Sequence, residues 1–179
     1  NTSTNIFDFS FFMAEYMSGE AVDGFICALG LNDVGWGDLG SVVNDMDSLR
    51  DKVLHIITSV HSYDANIKIL LYTIPNQSKE QTAIGTSFSN FSSYEKVNNN
   101  IDLFNEMILL NFSDILNVNI MATGSNFDAR TGYITEDYYP NKFEPTYKEI
   151  LPSDIHPSAE GAKWIADTFY HSLYNLVLK

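Results

Sequence analysis

The sequence predicts an α/β fold built around a parallel, doubly wound sheet. Three short apolar runs have the length and composition of buried strands, and the segments between and after them carry apolar residues at helical spacing. Strands that alternate with helices are joined by right-handed crossovers, which make the strands parallel. A length of 179 residues suits one domain, so we predict a single domain over residues 1–179.

The first half of the chain contains two predicted helices and two predicted strands. Phe7–Met17 is aromatic-rich and has the spacing of a short helix, and the uninterrupted apolar run Phe25–Leu31 is typical of a strand covered on both faces. Val42–Val60 repeats apolar residues with a helical period, and Ile67–Ile74 is the second buried run. We therefore expect the order helix, strand, helix, strand.

The second half is less regular. Residues 76–93 are rich in Ser, Thr, Asn and Gln, which predicts a long surface loop. Tyr94–Asn111 predicts an amphipathic helix and Val118–Ala122 a short strand, whereas no regular structure is predicted for residues 123–153. Ala159–Leu178 predicts the last helix.

Composition and charge exclude several classes of function. The chain is 45% hydrophobic and 13% aromatic, which is ordinary for a globular protein. Its formal net charge of −13 argues against nucleic acid or an anionic membrane as the main partner, because like charges repel. The single cysteine, Cys27, excludes an intrachain disulfide. No apolar stretch approaches the roughly 20 residues of a transmembrane helix, so no transmembrane segment is predicted.

A Gly-x-Asn-Asp block occurs where the first predicted strand meets a loop. In open α/β sheets, ligands bind outside the carboxyl ends of the strands, and Asn32 lies at such an end. Its amide N–H could stabilise an oxygen that gains charge during acyl transfer. Asp33 could hold the turn by accepting backbone N–H bonds. An Asn-Asp pair is also common in turns that follow strands, so this block alone does not establish a functional site.

A second block, Asp154–Ser158, precedes the last predicted helix. It contains His156 on a loop fixed by Pro157, with Ser158 as the expected N-cap. A neutral imidazole beside a carboxylate is the general-base half of a serine triad. A single histidine at this position could equally be a polar loop residue.

Taken together, the two blocks resemble the SGNH (GDSL-type) ester hydrolases. The resemblance extends to the segments FDFSFFMAEYM…FICALGLND and IHPSAEGAKWIA. The resemblance implies a three-layer, flavodoxin-like fold and hydrolysis of a carboxylic ester through an acyl-serine intermediate, without a metal or cofactor. It assigns Asn32 to the oxyanion hole and His156 to activation of the nucleophile, with Gly30 and Asp33 supporting the substrate loop. Acetyl groups on carbohydrate are the substrate that it suggests first.

The chain departs from the family pattern in two respects. The Gly-Asp-Ser block that should precede Asn32 is absent, and neither Gly37–Leu39 nor Gly40-Ser41 matches it in position or pattern. The loop glycine of the family's second block has no match either. The family's acid usually lies three positions before the histidine, where this chain has Ser153, whereas the carboxylate here is Asp154. Either Asp154 serves as the acid or the site works as a Ser–His dyad.

The first predicted strand supports the idea of a missing neighbour. A strand without polar alternation should have both faces covered and both edges paired, and Ile67–Ile74 supplies only one neighbour. We therefore expect an N-terminal segment, cleaved or supplied as a separate chain, to complete the sheet and bring the serine.

Other polar and aromatic residues are open to two readings. His55, His61 and His171 fit helix-packing or surface positions and do not form a metal spacing. The aromatic residues between the last strand and His156 could line a substrate cleft or could hold a long loop down; they are Tyr133, Tyr138, Tyr139, Phe143 and Tyr147.

Two other classes of function compete with an esterase. The first is a non-catalytic glycan-binding or structural module of a surface or viral particle. The second is a flavodoxin-like nucleotide binder, against which stands the lack of a Gly-rich phosphate loop after any strand.

Overall fold

The computed structural model describes residues 6–35, 39–77, 94–129, 131–134, 136–138, 148–150 and 156–177. The helices of these ranges are α1 (Phe9–Tyr16), α2 (Leu31–Gly35), α3 (Leu39–Tyr63), α4 (Tyr94–Phe112), α5 (Thr123–Asn126) and α6 (Ala159–Val177). The strands are β1 (Gly24–Cys27), β2 (Lys68–Tyr72), β3 (Val118–Met121), β4 (Glu136–Tyr138) and β5 (Lys148–Ile150).

Three of the strands form a small open sheet. They are all parallel and lie in the order β1-β2-β3, with Gly24 beside Lys68 and Ile69 beside Val118. Because the strands are parallel, their carboxyl ends meet at one edge of the sheet. β4 and β5 form a separate antiparallel pair. The predicted α/β fold with a parallel sheet is confirmed.

Helices flank this sheet on both faces. Successive residues of a strand point to opposite faces. Ile69 and Leu71 lie in the main apolar core with residues of α3 and α4, whereas Leu70 lines a cavity with residues of α6. Since α3 packs on α4, and α6 contacts β2 and β3, the core is divided between the two sides of the sheet.

The first helix leads the chain into β1. Its N-cap is Asp8, whose carboxylate accepts a hydrogen bond from the N–H of Phe11 at 2.9 Å. The N–H of Phe9 donates to Ser59 Oγ on α3 at 2.9 Å, and the Phe9 ring meets Tyr63 edge-on with centroids 5.5 Å apart. These contacts fix α1 on α3, and the predicted helix is confirmed.

Strand β1 is shorter and less covered than predicted. It ends at Cys27 rather than Leu31, because the chain turns after the strand and enters α2 at Leu31. Ile26 is 41% exposed and lines a cavity beside α6, which contacts β2 and β3. The prediction that both faces of this strand are buried is therefore wrong for the described residues.

Regular structure also occurs where none was predicted. Helix α5 and the strands β4 and β5 lie within residues 123–153. Elements of three or four residues are too short to carry a periodic apolar pattern, and β4 and β5 exist through their pairing with each other. The other predicted helices and strands are confirmed to within a few residues at their ends.

In the part of the chain that the structure describes, no helix combines the length and the apolar character that crossing a membrane requires.

Candidate functional site

A pocket of about 320 Å³ lies at the carboxyl ends of β1 and β2. Residues 28–31, which follow β1, form one wall, and the segment from Tyr72 to Gln77 forms another. His156 and Asp33 line the same pocket. The Gly-x-Asn-Asp block and the histidine block, far apart in sequence, therefore meet at the edge of the sheet where ligands of open α/β folds bind.

Gly30 occupies a position that no other residue type fits well. Its φ of +115° is a backbone conformation that L side chains rarely adopt. A Cβ here would lie 2.6 Å from the ring of Phe104, which packs against Gly30 from α4. The turn after β1 is closed by the N–H of Val34, which donates to Gly30 O at 2.9 Å. The glycine of the first block thus lets the loop and α4 approach closely.

The structure describes the two polar residues of the first block to different extents. Asn32 lies within α2 rather than in a loop, and its side chain is outside what the structure describes. Asp33 is exposed at the pocket. The turn is anchored instead by Asn100 on α4, whose buried Nδ2 donates to Val34 O at 3.0 Å.

The histidine loop is held by contacts of the two residues that follow His156, which is itself exposed. Pro157 forms an antiparallel bridge with Tyr133, and the N–H of Ser158 donates to Gly132 O at 2.8 Å. Ser158 Oγ accepts from the N–H of Gly161 at 3.1 Å, which confirms Ser158 as the N-cap of α6. The loop therefore has a defined position relative to the pocket.

Gly161 allows the first turn of α6 to pack on the loop at Gly132. A Cβ at Gly161 would lie 2.0 Å from Gly132 O, so Gly161→Ala requires backbone movement. We expect this change to lower the free energy of unfolding by about 1–3 kcal/mol, the usual cost of overpacking. Urea unfolding measures it, with Gly24→Ala as the control, because a Cβ there meets Lys68 O at an ordinary 3.5 Å. Equal stabilities of the two variants would contradict this packing.

Two asparagines of α4 hold the segment after β2. Asn105 accepts from the N–H of Ile74 at 2.8 Å and donates to Ile74 O at 2.9 Å. Asn98 does the same for Gln77, at 2.7 and 2.9 Å. The two asparagines are seven residues apart and so lie on one face of α4. Each clamps one backbone unit of the pocket wall.

Removing one of these two asparagine side chains should lower the stability of the protein. Asn105→Ala leaves the buried backbone of Ile74 without two hydrogen bonds, and we expect the free energy of unfolding to fall by about 2–3 kcal/mol. The exposed Asn99 of the same helix is the matched control, and Asn99→Ala should change stability by less than about 0.5 kcal/mol. Urea midpoints at unchanged m-values provide the measurement, and a loss no larger than that of the control would contradict the clamp.

Gln77 brings an oriented amide to the pocket. Its Nε2 donates to Tyr133 Oη at 2.8 Å and to Pro75 O at 3.3 Å, and Tyr133 Oη donates to Asn76 O. Because a carbonyl can only accept, Nε2 must face Pro75, and Oε1 points the other way. No group of the described residues donates to this buried Oε1. Gln77, a residue of the pocket wall, therefore has a buried acceptor of fixed orientation.

Tyrosines in the wall stay protonated at neutral pH. Burial raises the pKa of Tyr72 to about 12. Burial also raises the pKa of Tyr133, which Tyr72 raises further and the hydrogen bond with Gln77 partly lowers. Tyr133 packs edge-on against Phe127, with centroids 4.9 Å apart, so it both lines the pocket and holds the loop down.

The remaining predicted residues fall into two groups. Asp154, Ser153, Tyr139, Phe143 and Tyr147 lie outside the described residues, as does the side chain of Tyr138. The other histidines lie away from the pocket: His55 Nε2 is 2.8 Å from Phe7 O, His61 has a buried Nε2, and His171 meets Tyr170 edge-on. Among the described residues, no group of three or more side chains could hold a metal ion.

Sequence analysis missed the clamping asparagines, Gln77 and the role of Gly161. The sequence did contain a signal for these asparagines, because asparagine is a poor helix former and α4 contains several in its interior.

Comparison with known proteins gave no match to a family model, a curated protein or a solved structure. What the chain does must therefore be inferred from its own pocket.

Proposed function

We propose that this chain contributes the histidine and oxyanion-hole half of a serine-dependent ester hydrolase of the SGNH type. One observation carries the proposal: His156 lines the same pocket as Gly30 and Asp33, at the carboxyl ends of parallel strands. That is the arrangement required if the second block acts on a group bound beside the first. The exposure of His156 leaves its ring accessible to a substrate.

On this proposal the residues act in the usual order of acyl transfer. His156 takes the proton from the serine hydroxyl as the oxygen attacks the ester carbonyl, and passes it to the leaving alcohol. Asn32 donates to the oxygen that gains negative charge in the tetrahedral intermediate. Water then attacks the acyl-serine with His156 as base, and the proton passes from His156 to the serine oxygen as the carboxylic acid leaves. Either Asp154 serves as the acid of a triad, or the site works as a Ser–His dyad.

The serine is proposed to arrive on a segment outside the 179 residues. Among the described residues that line the pocket there is no serine, threonine or cysteine. Within the described sheet, β1 pairs only with β2, and its other edge has no strand partner. A further parallel strand on that edge would end at the same side of the sheet as the pocket, because the carboxyl ends of neighbouring parallel strands lie together.

An open face of β1 adds to the support for this segment. Besides the exposed Ile26, an apolar cavity of about 230 Å³ lies between β1 and α6, lined by Phe169 and Leu173 among others. Intact-mass measurement of the purified, active protein tests the idea. We expect a longer polypeptide or a second chain with a Gly-Asp-Ser sequence. Ester hydrolysis by the 179-residue chain alone, folded and monomeric, would contradict it.

The proposed substrates are small or carbohydrate-borne acyl esters, with acetyl esters as the first candidates. Hydrolysis of p-nitrophenyl acetate by the intact protein and by His156→Ala tests the function. A large loss of rate in the variant supports an esterase, whereas equal rates would contradict the proposed role of His156.

The absence of a serine, threonine or cysteine from the described pocket lining also favours a second candidate, a non-catalytic glycan-binding or structural module. Such a module would bind acylated glycans without releasing the acyl group, which mass spectrometry of the recovered glycan distinguishes from hydrolysis.

A further inference from the structure

A second cavity, of about 200 Å³, lies between the sheet and the layer formed by α3 and α4. Its wall is apolar and comes from both layers: Cys27 and Leu71 from the sheet, Leu49 and Val53 from α3, and Phe104 and Ile108 from α4. All six of these side chains are buried. The cavity is therefore a hydrophobic space within the core.

The charged groups near this cavity do not change its character. Asp33 and Lys52 belong to its lining, but both residues are exposed, so their charges lie toward solvent. The ionisable groups deeper in the wall are neutral at physiological pH. Burial raises the pKa of the Cys27 thiol to about 11, against an opposing hydrogen bond at Leu29, and that of Tyr72 to about 12.

This cavity adjoins the pocket that contains His156. Leu29, Gly30, Asp33 and Tyr72 line both spaces. The two spaces therefore share a wall formed by the turn after β1 and by Tyr72. The Phe104 ring occupies the space that a side chain at Gly30 would need, and it lines the apolar cavity.

The volume of the cavity indicates the length of the chain that it can hold. An apolar protein cavity of about 150 Å³ takes up benzene, a ligand of six carbons. A cavity of about 200 Å³ therefore suits an alkyl chain of about six carbons and is much larger than the methyl of an acetyl group needs. Each buried methylene should strengthen binding about fourfold.

We propose that this cavity takes the acyl chain of the ester, so that the protein acts on esters of medium-chain carboxylic acids, of about six carbons, in preference to acetate esters. The inference rests on the proposed function and extends its substrate class beyond the acetyl esters suggested by sequence. The carbonyl lies at His156 and the alkyl chain runs into the core.

Direct binding tests the cavity separately from catalysis. Isothermal titration of the intact protein with hexanoate and with acetate should give binding of hexanoate at least about tenfold tighter. Val53→Phe fills the cavity and should abolish this preference. Leu54→Phe, on the next residue of α3, is the matched control, because Leu54 is 44% exposed and does not line the cavity.

A second variant guards against misfolding of the first. Val53→Ala enlarges the cavity and should shift the preference toward octanoate, with circular dichroism confirming that each variant is folded. Equal affinity for hexanoate and acetate, or a preference that survives in folded Val53→Phe, would overturn the proposal.

Kinetics separate the two proposals from each other. The value of kcat/KM should be higher for p-nitrophenyl hexanoate than for p-nitrophenyl acetate, and the ratio should fall in Val53→Phe but not in Leu54→Phe.

Hydrolysis without any chain-length preference would refute the acyl cavity and leave the esterase intact. Tight, Val53-dependent binding of hexanoate without hydrolysis of either ester would support the cavity and refute the esterase. A preference for hexyl acetate over p-nitrophenyl hexanoate would assign the cavity to the alcohol chain and contradict the proposal.

Discussion

Replacing His156 by alanine should lower kcat for ester hydrolysis by about 10⁴–10⁶-fold in the assembled protein, because loss of the base costs almost as much as loss of the nucleophile that it activates. The variant should remain folded, since the histidine is exposed and the loop is held by Pro157 and Ser158. KM should change much less, because the proton moves only during the chemical step.

The matched control for this variant is His171→Ala. His171 is an exposed histidine on α6 that lies outside the pocket, and its loss should leave kcat within about twofold. Stopped-flow or steady-state assays with p-nitrophenyl esters measure both variants. A loss below about tenfold for His156→Ala would exclude its role as general base.

The second large effect is expected at Asn32. Asn32→Ala removes one donor from the proposed oxyanion hole, and kcat should fall by about 10²–10³-fold with little change in KM. The reason is that the carbonyl oxygen carries its full negative charge only in the tetrahedral intermediate, so the amide stabilises that state more than the bound ester.

Asn99→Ala provides the comparison, because Asn99 is exposed on α4 and outside the pocket. Its kcat should match that of the unmodified protein. If Asn32→Ala raised KM and left kcat unchanged, Asn32 would contribute to ground-state binding and not to the oxyanion hole.

The sequence was sufficient to predict the main helices and the parallel strands. Runs such as Ile67–Ile74 and the helical repeat of Val42–Val60 carry their own apolar pattern, and pattern is the strongest local signal of secondary structure. Short elements were not predicted, because they carry no such pattern. β4 and β5 are three residues each and depend on pairing across residues that are distant in the chain.

The site was only partly predictable. Gly30, Asp33 and His156 were selected on their residue types and spacing, and they do line one pocket. The clamp between Asn105 and Ile74 depends on how α4 docks against the end of β2, which no local pattern encodes. The exposure of Ile26 likewise depends on tertiary packing, whereas an apolar run in the sequence indicates only that the strand could be buried.

The most direct test of the central claim is labelling of the intact protein with a fluorophosphonate, which reacts covalently with an activated serine. Peptide mapping should find one modified serine, on a segment outside the 179 residues and beside β1, and the labelling should be lost in His156→Ala. Labelling that persists in His156→Ala, or no labelled serine in a folded protein that hydrolyses esters, would contradict the account.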